Sequence, residues 1–296
     1  MQKQWKTGTL VSGEIGTGTS FGTFGELLQG VHADNNLDFL VTLPIKRYSR
    51  VEFAPDLSEE LKVIPEFKQK SALLAVRLLK YFNLPLGGTL TIKSDLPTGK
   101  GLASSSADLV ATARAIESSY AIAIPVTLLQ KFMGEIEPTD GVMYPGVVSF
   151  YHRKVELGEM LGPIPPLTIL AIDEGGEVDT IEFNKLRKVF TLEEKLEYTQ
   201  LVNRLKVALQ EQDVRTIGEV TTRSAIMNQS RQKKRYLNHF LQLSDQYDAL
   251  GIVVAHSGTF IGLLLWQEEE EYKYKLIQLT KKLKKMYGQV HVYHTL

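Results

Sequence analysis

Cysteine is absent from all 296 residues. That excludes disulfides, thiolate nucleophiles and cysteine-held metal sites, and it fits a reducing, cytoplasmic setting. Charge of one sign is lacking too. The 34 Lys and Arg offset 34 Asp and Glu, so no global field recruits nucleic acid or an anionic lipid surface. No apolar run is long enough to span a bilayer. Met1 to Thr9 is polar and lacks the apolar core of a secretory signal. The expectation is a soluble, intracellular chain with no nucleic-acid or membrane partner. The six histidines show no metal-ligand spacing such as H-x-x-x-H. His256 has no carboxylate partner placed by the sequence and reads as structural. What is present is ordinary globular composition, 43% apolar and 23% charged, in a chain long enough for two compact domains.

No internal repeat and no segment of disordered composition interrupts the chain. The best boundary is Gly158 to Pro166, within LGEMLGPIPP, where prolines that cannot donate to a ladder suggest a linker. Before it, Arg50 to Phe53 and Thr89 to Ile92 alternate as strands do. Lys70 to Phe82 has helical periodicity with Leu73, Val76 and Leu79 on neighbouring turns, and Ser104 to Ser119 is an Ala-rich helix. After it come a buried strand at Leu167 to Ile172, helices at Leu192 to Gln212 and Val214 to Asn228, and a strand pair within Gly251 to Trp266. Tyr272 to Met286 closes the chain as an amphipathic helix, with Leu276, Leu279, Leu283 and Met286 on one face. Lys281, Lys282, Lys284 and Lys285 then form its solvated face.

Pro97-Thr-Gly-Lys-Gly-Leu-Ala-Ser-Ser-Ser-Ala-Asp108 is the most informative segment. It follows a strand and opens a helix. Gly99 and Gly101 let the backbone turn and bring amides close to a ligand. A helix N-terminus offers unpaired N–H groups and the positive end of the macrodipole, which suit phosphate. The serine hydroxyls suit phosphate oxygens or a hard cation. It is not a Walker A loop, because Gly101 follows Lys100, and neither this loop nor Gly16 to Gly22 has Rossmann spacing. The competing reading is a serine-capped helix start.

These residues resemble the P-x-G-x-G-L-G-S-S-A signature of the GHMP kinases, with Ala103 where Gly is usual. Three further segments resemble the L-threonine kinases linked to cobalamin biosynthesis and propanediol utilisation: Gly22-Thr-Phe-Gly-Glu-Leu-Leu-Gln-Gly30, Ile136-Glu-Pro-Thr-Asp140 and Val254-Ala-His-Ser-Gly-Thr259. One departure is Phe24, where a small residue such as Cys is familiar. The expectation is that Phe24 reshapes the substrate pocket.

The resemblance implies an α+β GHMP kinase fold. Residues 1–160 would form an N-terminal ATP-binding domain like ribosomal-protein S5 domain 2, and residues 161–296 a ferredoxin-like C-terminal domain. ATP and Mg²⁺ are the implied cofactors, and a hydroxylated amino acid, L-threonine first, is the implied acceptor. Another small alcohol such as homoserine, or a GHMP-like sensor without turnover, are the alternatives. Pro97, Gly99, Lys100, Gly101, Leu102, Ala103, Ser104, Ser105 and Ser106 would hold ATP.

Phosphoryl transfer to an alcohol needs positioning, charge neutralisation and help with the hydroxyl proton. A carboxylate serves as base or holds Mg²⁺. Glu137 and Asp140 are three apart, and Pro138 disfavours helix at Glu137, so they sit on a loop or a fresh helix start. From the residues alone, Thr139-Asp140 also reads as a simple turn or cap. By analogy Glu137, with Ser105, is the Mg²⁺ ligand and Asp140 the base, and the two roles can be exchanged. Glu26, Gln29, Ser257 and Gly258 are the substrate-side candidates. For Glu26 and Gln29 the competing reading is local turn bonding around Gly25 and Gly30. For Gly258 it is a tight hairpin at positive φ. In Asp173 to Phe183, Gly175-Gly176 makes a turn and Asp179-Thr180 either faces substrate or belongs to a connecting loop.

Overall fold

The computed structural model describes residues 13–176 and 188–296. The first half carries β1 (Gly16–Val31), β2 (Asp38–Pro55), β3 (Leu61–Ile64), α1 (Gln69–Tyr81), β4 (Gly88–Ser94), α2 (Ser104–Tyr120), α3 (Val126–Gly134), β5 (Val147–Tyr151) and β6 (Glu156–Gly162). The second carries β7 (Leu167–Asp173), α4 (Leu192–Glu211), α5 (Val214–Asn228), α6 (Leu237–Gln246), β8 (Gly251–Val254), β9 (Phe260–Trp266), α7 (Tyr272–Tyr287) and β10 (His291–His294).

Two sheets result. One has the order β3-β4-β2-β5-β6, with β1 paired to β2, and the other the order β10-β7-β9-β8. β7 shows how the second sheet is held between two cores. Ile169 and Ala171 enter the core that also takes Leu27 and Val41 of the first sheet. Leu170 and Ile172 face the opposite core with Phe240 and Leu283. The period-two alternation of a strand does this without further device. A third core joins the first sheet to α1 and α2 through Phe53, Leu78, Leu90 and Ile116.

Several details depart from the expectations. The boundary segment is only partly a linker: Gly158 to Gly162 pair with β5 as part of β6, and the 160/161 boundary falls inside that strand. Gly158, Glu159, Met160, Leu161 and Gly162 keep their N–H groups and so can ladder, whereas Pro163, Pro165 and Pro166 cannot. The crossing is confined to residues 163–166, between β6 and β7. In α1 the buried stripe is Ser71, Leu74, Ala75, Leu78 and Leu79, and Leu73 is exposed. In α7 Met286 is 47% exposed. Tyr287 takes its place, packed on Tyr236 at 4.6 Å between ring centroids. Lys281, Lys284 and Lys285 are exposed as expected. Among the described residues no helix is long and apolar enough to cross a membrane.

Candidate active site

The phosphate loop is built where β4 ends and α2 begins. Gly99 and Gly101 have φ of 72° and 79°, and Ala103 stands before the helix at φ 56°. A Cβ disfavours that left-handed region, so glycine is the easier residue at all three positions. The loop's carbonyls are turned towards neighbouring segments: Gly101 O accepts from Gly25 N at 3.0 Å, Leu102 O from Thr23 N at 3.3 Å, and Lys100 O from Thr259 N at 3.3 Å. The first amides of α2 have no intrahelical acceptor. They stand at a cavity of about 500 Å³ lined by Pro97, Gly99, Ala103 and Ser104 to Ser106.

The three serines divide the work. Ser104 Oγ donates to Leu96 O at 3.1 Å, so its proton secures the loop to the end of the preceding strand. Ser105 Oγ donates to Glu137 Oε1. Ser106 Oγ accepts from Asp140 N at 3.0 Å and donates to Asp140 Oδ2 at 3.2 Å. The 137–140 segment is a loop, and the Asp140 carbonyl accepts from Val142 N at 2.9 Å at the turn that follows. The loop lies against the first turn of α2, so that both carboxyl groups line the same cavity. Glu137 also pairs with Lys70 Nζ at 2.5 Å, a residue that the sequence reading passed over as part of a helix.

Asp140 is pushed up to about 7 by burial and by the neighbouring charge of Glu26, with a smaller push from Glu137 against the hydrogen bond of Ser106. A carboxyl group poised near neutrality suits a general base.

Glu26 sits on β1, which is a strand through the whole motif and not a turn. The ladder shifts register between Thr23 and Glu26 and again between Glu26 and Leu28. Gly25, at φ 50°, sits at the first shift, where a Cβ would lie 2.3 Å from Val254 O. Glu26 Oε2 accepts from His256 N at 3.1 Å and from His256 Nδ1 at 2.8 Å. A carboxylate only accepts, so Nδ1 carries the proton. Nε2 then takes the Ser224 hydroxyl at 2.8 Å, and Ser224 Oγ accepts from Gln29 N at 3.3 Å. His256 therefore has the carboxylate partner that the sequence could not place, and its role is to fix Glu26.

The other candidates separate. Gln29 and Ser257 line the cavity. Lys100 turns away, pairing with Asp173 Oδ2 at 2.7 Å and donating to Gly176 O at 2.7 Å. Gly258 is not at positive φ, and it does not line the cavity. Its lack of a side chain serves close approach instead, since a Cβ there would lie 2.1 Å from Lys100 O. Lys234, buried, donates to Gly258 O. Its ammonium is lowered to about 8 by burial, against the attraction of Glu174 and Glu26. Phe24 is fully buried, packed on Phe260 and Tyr293 at 5.8 and 5.3 Å. It faces the core between the sheets and does not line the cavity, contrary to expectation. Gly175 and Gly176 do turn the chain, at φ 85° and 79°. Asp179 and Thr180 lie outside the described residues.

Among the described residues no group of three His, Asp or Glu is arranged to hold a metal ion by itself. The donor set of Ser105 Oγ and Glu137, side by side at the phosphate-type loop, nevertheless fits Mg²⁺. That ion commonly takes one or two protein oxygens and completes its shell with phosphate and water.

Comparison with known proteins is consistent with this geometry. Residues 69–146 match the family model of the GHMP kinases N terminal domain. An L-threonine kinase of Salmonella typhimurium is 29% identical over 248 residues, covering 81% of this chain and 80% of that protein. One of Citrobacter freundii is 26% identical over 263 residues, covering 87% and 89%. A homoserine kinase structure from Cytophaga hutchinsonii superposes with a TM-score of 0.70 at 17% identity, covering 99% of this chain and 97% of that one. The mevalonate kinase of Methanococcus jannaschii gives 0.72 at 17% identity, covering 96% and 98%.

Proposed function

We propose that this chain, which carries a GHMP kinase N-terminal domain in a GHMP kinase fold, transfers the γ-phosphoryl group of ATP to the hydroxyl of a small amino acid, L-threonine first. The kinase class rests on the family match and the relatives. The observation that carries the reading of the site is the meeting of Ser105, Ser106, Glu137 and Asp140 at one helix start.

On this reading the amides of Gly101 to Ser106 bind phosphate oxygens at the positive end of α2. Ser105 and Glu137 would hold Mg²⁺, which supplies charge neutralisation at the transferring phosphoryl group. Asp140 accepts the proton of the acceptor hydroxyl, with Ser106 fixing its orientation. Glu26, Gln29 and Ser257 line the substrate side. Ser104 and Lys100 support the loop through Leu96 and Asp173, so their hydroxyl and ammonium are not assigned to phosphate.

L-threonine is favoured by the two L-threonine kinase relatives over most of the chain. Homoserine is the second reading, favoured by the homoserine kinase fold neighbour. Retention of both Glu137 and Asp140 at the loop argues for turnover over a sensor. The test is ADP release with a panel of hydroxylated small molecules and identification of the phosphorylated product. L-threonine should give O-phospho-L-threonine. ADP release that depends on another alcohol and not on threonine would move the substrate and leave the kinase in place. Nucleotide binding without any turnover would favour the sensor.

A further inference from the structure

The same cavity holds three polar side chains that take no part in the phosphoryl transfer itself. Gln29 Oε1, Thr139 Oγ1 and both ring nitrogens of His152 are buried and have no protein hydrogen-bond partner. The residues are 4%, 2% and 3% exposed, and all three line the cavity. Buried polar groups ordinarily find partners. Three orphaned side chains in one cavity mark a place where a ligand completes the set.

Strand register brings them together. Gln29 pairs with Leu40 across β1 and β2, and Leu40 pairs with Phe150 across β2 and β5. His152 follows Phe150 by two positions, and its carbonyl accepts Thr139 N at 3.2 Å. The 137–140 loop is thereby stitched to the end of β5, and His152 joins Gln29 and Thr139 around Asp140.

Carboxyl groups dominate the charge on the cavity lining, while Arg153 and Arg231 act on His152 from outside it. Of the charged residues lining the cavity, Lys70 is paired to Glu137, which leaves Asp140 and the Glu26 oxygen that His256 does not take. His152 is held neutral, pushed down to about 3 by burial and then by Arg153 and Arg231. A neutral imidazole presents one accepting nitrogen and one N–H donor. Gln29 Oε1 only accepts, and the Thr139 hydroxyl can accept as well as donate. A hydroxyl brings a single proton to such a place, whereas a primary ammonium brings three donors and a positive charge.

We propose that His152, with Gln29 and Thr139, takes the primary ammonium group of the acceptor, so that the substrates of this kinase are amino alcohols and not neutral or purely acidic ones. The inference rests on the kinase reading above and deepens it. His152 is the specificity-determining member: its accepting nitrogen takes the ammonium, and its N–H, which an ammonium cannot satisfy, is left for an oxygen of the acceptor or water.

The experiment pairs acceptors that differ only in the amine: L-threonine with 3-hydroxybutyrate, and L-homoserine with 4-hydroxybutyrate. ATP-dependent phosphorylation is measured for the full chain and for His152→Leu and His152→Gln. In the unaltered protein the amine-bearing member of at least one pair should lead in kcat/KM by roughly 100-fold or more, since a site built to pair a polar group rejects the analogue lacking it. His152→Leu should cut that ratio by about ten-fold or more, through KM for the amino acid, with KM for ATP within about two-fold. His152→Gln, which keeps a donor and an acceptor, should retain more of the ratio. Without ligand His152→Leu should unfold at no lower temperature, since it removes a buried group that has no partner. Equal use of both members of each pair by the unaltered protein would overturn the proposal. So would an unchanged ratio in His152→Leu, or parallel loss of ATP and acceptor affinity. If threonine is not phosphorylated but homoserine leads its own partner, the threonine assignment falls and the ammonium pocket stands. If no acceptor is phosphorylated, both fall.

Discussion

Replacing Asp140 by Asn removes one charge and one titration while keeping nearly the same shape. The carboxyl group lies at about 7 in the folded protein against an ordinary 3.8, first because of burial and then because of Glu26. Folded chains therefore bind this proton more tightly than unfolded ones. Between those two values the folded state holds more protons, so stability falls as pH rises from about 4 to about 7. Roughly 3 pH units at about 1.4 kcal/mol each set an upper bound of roughly 4 kcal/mol. Asp140 keeps an edge on the cavity, and solvent screening there brings the expected contribution to about 2 kcal/mol.

Asn titrates nothing in this range. Urea unfolding at pH 4.5 and at pH 8 should therefore show Asp140→Asn gaining about 2 kcal/mol on the unaltered protein as pH rises. Groups not coupled to Asp140 cancel in the difference, and the coupling to Glu26 and Glu137 is part of the contribution being read. The activity should move the other way. As a general base Asp140 contributes about 10² to 10⁴ in kcat, and kcat/KM of the unaltered protein should climb as pH rises through about 7. A variant with kcat within a few-fold of normal would refute the assignment of the base. Identical pH slopes of stability in the two proteins would refute the electrostatic reasoning.

Ala103→Gly relieves a left-handed residue at φ 56° and should raise stability by about 0.5–1 kcal/mol, read as a higher Tm; a fall in Tm would show that the methyl packs more usefully than the strain costs. Ser104→Ala strands the Leu96 carbonyl and should cost about 1 kcal/mol of stability in a urea titration. Ser105→Ala, whose hydroxyl meets Glu137, should instead leave stability nearly unchanged and raise the Mg²⁺ concentration needed for half-maximal rate; reversed effects of the two would exchange the roles of these serines. His256→Phe leaves Glu26 without its imidazole partner in a buried place and should cost about 3 kcal/mol or more in unfolding free energy, with His256→Gln recovering part of it; equal stability of the Phe variant would show that the carboxyl group does not depend on this contact.

The longer helices were legible, α2 through its Ala-rich composition, whereas the short α3 and α6 were not expected although each buries one stripe. α4 and α5 were located almost residue by residue because Asp213, between them, accepts from Arg215 N and Thr216 N and starts the second helix sharply. The longest strands were legible only in part. In β1 every residue from Gly22 to Val31 is buried, so the alternation that marks a half-buried strand is missing. β6 was hidden by its glycines and by the prolines that follow it. β10 has only four residues, His291 to His294, and gives too short a pattern to read.

The phosphate loop was legible because its demands are local: glycines at left-handed positions and a helix start all fall within ten residues. The partners of Glu26 were not, since His256 lies 230 residues away. His152 and Lys70 had no local signal at all.

Phe24 shows why even a correctly placed motif can misassign its members. In an unbroken strand Phe24 and Glu26 are two apart and share a face. The register shift between Thr23 and Glu26 breaks that parity, and Gly25 at φ 50° sits inside it. Phe24 is thus sent into the core with Phe260 while Glu26 reaches the cavity. A second shift between Glu26 and Leu28 changes the parity again, so Gln29, three residues on from Glu26, lines the same cavity. A substrate effect of position 24 would then have to act through the packing of Phe260 and Tyr293 and not by contact. Phe24→Leu, which shrinks the side chain and leaves a cavity beside Phe260 and Tyr293, should therefore alter stability more than the ratio of one acceptor to another.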